Sequence, residues 1–241
     1  MGGFKGPRRR IVTVAIAITA GLGVSVAGYD SSANATPPGY TIKVTDLTSG
    51  QLLAPVIAAT QKPGAFIFTL GQAADPALAH LAIYGDPSQL KAELVANSDY
   101  GDVETNSSPA GPTNPGSTAS VTLAAKGGFS RVTVAAMLVP TNDVFMAIQN
   151  VPLPTASGES VTYYANAYEA GAAQVTESCD NIALVPSGFQ DTPCTNASFT
   201  PILLSPPSFV SVSNGIHGIA DLIPSLNDWR NPVTEIVITR N

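Results

Sequence analysis

The sequence predicts an all-β fold, an antiparallel β-sandwich that carries a short two-helix insertion. Two observations support this fold class. Short segments of alternating apolar and polar residues recur along the chain, and 21 glycines and 20 prolines supply many turns between them. Hydrophobic residues make up 44% of the 241 residues, which is sufficient for the core of one large domain.

The chain begins with the features of an export signal. A basic segment, Lys5 to Arg10, precedes an apolar run from Ile11 to Ala20, and small residues follow. Ser25-Val26-Ala27 resembles a cleavage site, and Ala33-Asn34-Ala35 is a second candidate. The apolar run is shorter than the roughly 20 residues that a transmembrane helix needs. We therefore expect export, with an uncleaved anchor as the alternative.

These features divide the chain into a signal peptide over residues 1–27, a polar linker over 28–39 and a single domain over 40–241. The formal charge is −6, and it becomes about −10 without Lys5 and the three leader arginines. A domain with this charge repels phosphate backbones, so we expect no nucleic-acid partner. We expect a secreted, extracellular protein without a stable membrane anchor.

The first part of the domain shows strand patterns. Tyr40, Ile42 and Val44 alternate with polar residues, which is typical of a strand with one buried face. Gln51–Thr60 and Ala65–Thr69 are two further strand candidates, separated by a Lys-Pro-Gly turn.

Two helices are predicted next. Asp75-Pro76 and Asp86-Pro87 each place a capping residue before a proline at the first helical position. Leucines and an alanine follow at helical spacing: Leu78, Leu81 and Ala82 after the first pair, Leu90 and Leu94 after the second.

Strand patterns then return. Residues 106–116 read as a loop, and Ala119, Val121 and Leu123 alternate with polar residues after it. The continuously apolar run from Arg131 to Val139 is typical of a central strand buried on both faces. Three more strands are predicted at Val144–Ile148, Ser160–Tyr168 and Val233–Thr239, with an irregular stretch over Glu177–Pro207.

The two cysteines, Cys179 and Cys194, both lie in the irregular stretch. An even pair in an exported chain predicts one disulfide bond. The alternative is two unpaired thiols. Closing a loop of this size would stabilise the folded state by roughly 3 kcal/mol.

No sequence pattern for catalysis stands out. The histidines, His80 and His217, lack zinc-ligand spacing, and no nucleophile elbow is present. His217 with Asp221 would form an acid–base pair in a hydrolase, but a structural His217 is the preferred interpretation. Trp229 is interpreted as a core residue, with an exposed contact aromatic as the alternative.

Several runs resemble the N-terminal domain of spondins as found in secreted bacterial proteins. These runs follow the same order as in that family and lie within residues 40–240: Tyr40–Thr48, Met137–Asp143, Gly215–Gly218, Asp228–Val233 and Ile238–Arg240. The resemblance implies a sandwich similar to C2 domains, an extracellular setting and contact with cell surfaces.

The resemblance also implies a calcium site. Two of its carboxylate positions match Asp143, which ends the Met137–Asp143 run, and Glu169, which stands where a Tyr-Asp-Ala-Gly motif has aspartate. Asn142, Asn166 and backbone carbonyls would add neutral oxygens. A third acidic ligand is expected in the preceding strand, but residues 117–131 contain no carboxylate.

These observations favour a secreted, non-catalytic binding or adhesion module with a Ca2+ cofactor. Its expected partner is an extracellular protein or a glycan. Two alternatives remain: a secreted hydrolase that uses His217 and Asp221, and a structural protein of the cell envelope.

Overall fold

The computed structural model describes residues 37–183, 194 and 198–241. The predicted signal peptide, both candidate cleavage sites and nearly all of the predicted linker lie outside these described residues. Within the described residues, no helix is long and apolar enough to cross a membrane.

The described residues form ten strands, three α-helices and one 3-10 turn at Cys179–Asn181. In chain order the strands and helices are β1 (Gly39–Asp46), β2 (Leu52–Leu53), β3 (Ile57–Gln61), α1 (Pro76–Tyr84), α2 (Ser88–Ala96), β4 (Tyr100–Thr105), β5 (Thr118–Ala124), β6 (Arg131–Val139), β7 (Val144–Pro152), β8 (Ser160–Glu169), β9 (Ser211–Val212), α3 (Pro224–Asn227) and β10 (Thr234–Arg240).

The strands form one antiparallel sheet in the order β4-β3-β6-β7-β8-β10-β1-β5, and the short strands β2 and β9 pair with β6 and β8. Consecutive strands β6, β7 and β8 pair as a meander, whereas β1 lies between the last strand and β5. The prediction of a mostly β, antiparallel fold is confirmed. The two-layered sandwich stays a prediction.

The core reflects the sequence patterns. In β1, Ile42 and Val44 are fully buried, as the alternation predicted. β6 is buried on both faces: Val134 and Ala136 share a core cluster with β1 and β5, and Ala135 packs in a second cluster with the helices. Three strands separate β6 from β1 in the sheet, yet both strands contribute residues to the first cluster. The sheet therefore curves around this cluster.

The two predicted helices are present. The carboxylate of Asp75 accepts a hydrogen bond from Ala77 N at 2.9 Å, and Pro76 begins α1 as predicted. α2 begins at Ser88, one residue later than predicted, because its first backbone hydrogen bond runs from Lys91 N to Pro87 O at 2.8 Å. The Asp86 carboxylate accepts from Ser88 N at 2.9 Å, as a capping residue does. Both helices bury leucines in the second core cluster.

The strand predicted at Ala65–Thr69 is wrong. The Gln149 side chain takes the place of a neighbouring strand: its Oε1 accepts from Ile67 N at 3.0 Å, and its Nε2 donates to Phe68 O at 3.1 Å. The backbone polar groups are thus satisfied without sheet pairing. The candidate Gln51–Thr60 divides into β2 and β3 on either side of Pro55.

The sheet has two ends that matter below. At one end β1 finishes, β10 begins and β7 begins beside the last residue of β8. We call it the acidic end, because Asp143, Glu169 and Glu177 lie there. At the opposite end Tyr40 pairs with Arg240, and we call it the Arg240 end.

Candidate functional site

A small cavity lies at the acidic end of the sheet. Its volume is about 10 Å3, which is roughly the room that one water molecule or one metal ion needs. Carboxylates from three different segments line it: Asp143, Glu169 and Glu177. The structure therefore brings the two sequence-predicted ligands, Asp143 and Glu169, to one cavity.

Asp143 is held by the turn that follows β8. It directly precedes β7 and is fully buried. Its Oδ2 accepts hydrogen bonds from Ala172 N and Ala173 N at 2.8 and 3.0 Å, and its carbonyl accepts from Ala170 N at 3.0 Å. Its Oδ1 is buried and has no hydrogen-bond partner among the described residues. Such an atom costs free energy unless a proton or a cation neutralises it.

Burial raises the pKa of the Asp143 carboxyl, although the backbone hydrogen bonds from Ala173 and Ala172 oppose the shift. A cation bound at Oδ1 would favour the charged form of the carboxyl, which burial disfavours.

Glu169 is the last residue of β8 and pairs with Val144, the neighbour of Asp143. Its Oε1 accepts from Ser213 Oγ at 2.9 Å. Burial raises the pKa of Glu169, and the negative charges of Asp143 and Glu177 add to the effect. Because the charge of Asp143 raises the pKa of Glu169, a cation near both carboxylates would be favoured.

Glu177 supplies a third carboxylate, which the sequence analysis missed. It is buried and has a left-handed backbone with φ of 53°. Its Oε1 accepts from His217 N at 2.6 Å, and its Oε2 accepts from Gly218 N and Ile219 N at 2.7 and 2.9 Å. Glu177 thus fixes the loop 215–219 against the cavity.

The two asparagines predicted as neutral ligands have other roles. Asn142 lines the cavity, but its Oδ1 accepts from Thr176 N and Glu177 N at 3.1 and 3.0 Å. It therefore positions Glu177 and does not offer a free oxygen. Asn166 is exposed on β8, three residues before Glu169, and is not among the cavity-lining residues.

His217 and Asp221, the acid–base pair of the hydrolase alternative, do not pair with each other through a hydrogen bond among those of the described residues. His217 Nδ1 lies 3.3 Å from Glu177 Oε1, and Asp221 Oδ2 accepts from Cys179 N at 2.9 Å. Each of the two side chains therefore has its own partner. His217 contributes to the loop that Glu177 holds, in line with its structural interpretation.

The predicted disulfide bond between Cys179 and Cys194 is confirmed, with the two Cα atoms 4.8 Å apart. Both cysteines belong to the first core cluster, and Cys179 begins the 3-10 turn two residues after Glu177. The bond therefore anchors the segment that carries Glu177. Trp229 is buried in the same cluster, as predicted.

The donor set limits which metal would fit. In the part of the chain that the structure describes, no group of three or more histidine, cysteine, aspartate or glutamate side chains could hold a metal ion. Glu177 uses both oxygens for backbone N–H groups, so the free oxygens come from Asp143 and Glu169. An all-oxygen site of this kind suits calcium better than a transition metal.

No family model matches this chain, and no curated protein matches it.

Proposed function

We propose that this chain is a secreted, non-catalytic binding or adhesion module of the spondin N-terminal type, and that one calcium ion stabilises its acidic end. In this proposal the curved antiparallel sheet is a C2-like sandwich. The confirmed disulfide bond supports an oxidising, extracellular setting. The separate partners of His217 and Asp221 weigh against the hydrolase alternative.

One observation carries the calcium proposal: the buried and unpartnered Oδ1 of Asp143 at a cavity of about 10 Å3. A calcium ion there would neutralise Asp143 and Glu169 together, and the protein's own contribution would be to hold the two oxygens in place. Asn142, Glu177 and Ser213 do this by fixing the three segments around the cavity.

A site with two carboxylates is expected to be weak. Extracellular calcium modules have dissociation constants of about 0.1–1 mM, which match the calcium concentrations outside cells. At a hundredfold excess over the dissociation constant, calcium stabilises the folded state by about 2.7 kcal/mol. For a domain of this size each kcal/mol raises the melting temperature by about 2–4 °C.

The test is a thermal melt in 10 mM calcium compared with a chelator. The unmodified protein is expected to melt several degrees higher in calcium. Asp143→Asn keeps an oxygen for Ala172 N and Ala173 N but places an amide nitrogen at the cavity. It is expected to melt higher than the unmodified protein in chelator, because a buried charge is gone, and to lose the calcium increment.

Glu235→Gln is the matched control, because Glu235 lies on β10 away from the cavity and its carboxylate accepts from the exposed Tyr164 hydroxyl at 3.1 Å. It should keep the full calcium increment. A melt that calcium does not change, or an increment that survives Asp143→Asn, would contradict the calcium proposal.

A further inference from the structure

A second cavity lies at the Arg240 end, opposite the acidic end. Its volume is about 260 Å3, close to the lower limit of ordinary small-molecule sites. The first residues of β1, the β5–β6 turn, the β7–β8 turn and the end of β10 form its walls. The lining residues used below are Tyr40, Lys126, Phe129, Pro154, Thr155 and Arg240.

Two cations line this cavity, although the chain as a whole is acidic. The Nη1 of Arg240 donates to Thr155 O, but its buried Nε has no acceptor among the described residues. Lys126 is exposed, and neither it nor Arg240 belongs to an ion pair in the described part of the chain. The exposed carboxylate of Glu159 interacts with the charge of Arg240 and accepts from Thr155 N and Ala156 N.

An oxyanion that reaches the guanidinium of Arg240 and the ammonium of Lys126 gains charge-assisted hydrogen bonds. The negative charge of the whole domain does not prevent this. Charges further away than about 8 Å are largely screened at physiological salt, so the cations that line the cavity determine whether an anion binds there.

Aromatic rings provide the apolar part of the walls. The Tyr40 ring is buried, and its hydroxyl donates to Pro154 O at 3.4 Å. The Phe129 ring lies against Gly101, where an added Cβ would be 3.1 Å from the ring. A ligand here would place an apolar face against rings and its charge against Lys126 and Arg240.

Phe129 and Lys126 also line a neighbouring cavity of about 340 Å3. Tyr100, Gly101, Asp102 and Ala124 form its other walls. The carboxylate of Asp102 accepts from Ala124 N at 2.7 Å, which joins the two edge strands beside the cavity. Two adjoining cavities that share an aromatic ring and a cation suit a ligand with repeating units.

We propose that the Arg240 end binds an acidic saccharide, with the carboxylate of a uronic-acid unit at Arg240 and Lys126 and the sugar ring against Phe129. The adjoining cavity takes the next unit of the same chain, whose carboxylate would face Lys126 and not Asp102. This inference rests on the proposed binding function and names its partner as an acidic extracellular glycan. It does not depend on calcium, because the acidic end lies at the opposite end of the sheet.

The test is an amide chemical-shift titration in chelator at constant ionic strength. The probes are galacturonic acid, its trimer, neutral galactose and sodium sulfate. Galacturonic acid is expected to shift the amides of Gly127, Gly128 and Thr155, and the trimer to bind more tightly. Galactose differs from galacturonic acid only at the carboxylate, so it should bind at least tenfold more weakly. Sulfate should compete only weakly.

Arg240→Met and Lys126→Met should each weaken binding about tenfold or more, whereas Lys43→Met, an exposed cation on β1 outside the cavity, should leave it unchanged. If one of the two variants fails to fold, the binding measured with the other is sufficient to test the proposal. Equal binding of galactose, sulfate that binds as tightly as the trimer, or binding that both variants retain would each overturn the proposal. So would the absence of shifts with any sugar. The calcium melt reports separately on the proposed function.

Discussion

Replacement of Glu177 by glutamine tests the role assigned to this buried carboxylate. In the unmodified protein Gly218 N and Ile219 N donate to Glu177 Oε2, and His217 N donates to Oε1. In Glu177→Gln one oxygen remains for His217 N, but an amide nitrogen, which cannot accept, faces the other two N–H groups. A hydrogen bond to a charged group contributes about 1.5–3 kcal/mol, so two lost bonds amount to about 3–6 kcal/mol. Because Ile219 is exposed and the loop can relax, we expect a loss near 3 kcal/mol.

Urea denaturation at pH 7 measures this loss, and amide hydrogen exchange at Gly218 and Ile219 locates it. Glu159→Gln is the matched control, because Glu159 also accepts two backbone N–H groups but is fully exposed. Water replaces the lost bonds there, so its loss of stability should be much smaller. If Glu177→Gln is as stable as the unmodified protein, or if both variants lose the same amount, the reasoning is refuted.

Two further predictions concern stability. Replacement of both Cys179 and Cys194 by alanine opens a 15-residue loop and should cost about 3 kcal/mol in urea denaturation; an unchanged midpoint would contradict a stabilising role. Burial raises the pKa of Asp46 from 3.8 to about 6, so the folded state holds this proton more tightly than the unfolded chain. Stability should therefore fall by about 3 kcal/mol as pH rises from about 4 to above 6. Asp46→Asn should remove this part of the pH dependence in a chelator-buffered series, and an unchanged slope would contradict the assignment.

The parts of the fold that the sequence predicted are those in which burial has a simple period. The buried Ile42 and Val44 in β1 and the apolar run of β6 show their exposure directly in the residue types. Ala65–Thr69 has the same appearance but pairs with the Gln149 side chain, about 80 residues away in the sequence. β4 was missed because Gly101 and two acidic residues give it no regular alternation, and its pairing with β3 determines its conformation.

The candidate site also contains residues that the sequence predicted and one that it did not. Asp143 and Glu169 were predicted because a family resemblance and the strand ends indicated them. Glu177 was missed because nothing near it in the sequence marks it. Its role depends on hydrogen bonds to a loop about 40 residues later, beginning with His217 N, and on the turn that Asn142 fixes. Contacts of this kind follow from the tertiary fold and have no local sequence pattern.

Calorimetric titration of chelator-treated protein with calcium tests the central claim most directly. We expect one calcium ion per chain with a dissociation constant of about 0.1–1 mM. Binding should be lost in Asp143→Asn, weakened in Glu169→Gln and unchanged in Glu235→Gln. The absence of a saturable heat up to 10 mM calcium would contradict the account, and so would a stoichiometry of one that persists in Asp143→Asn.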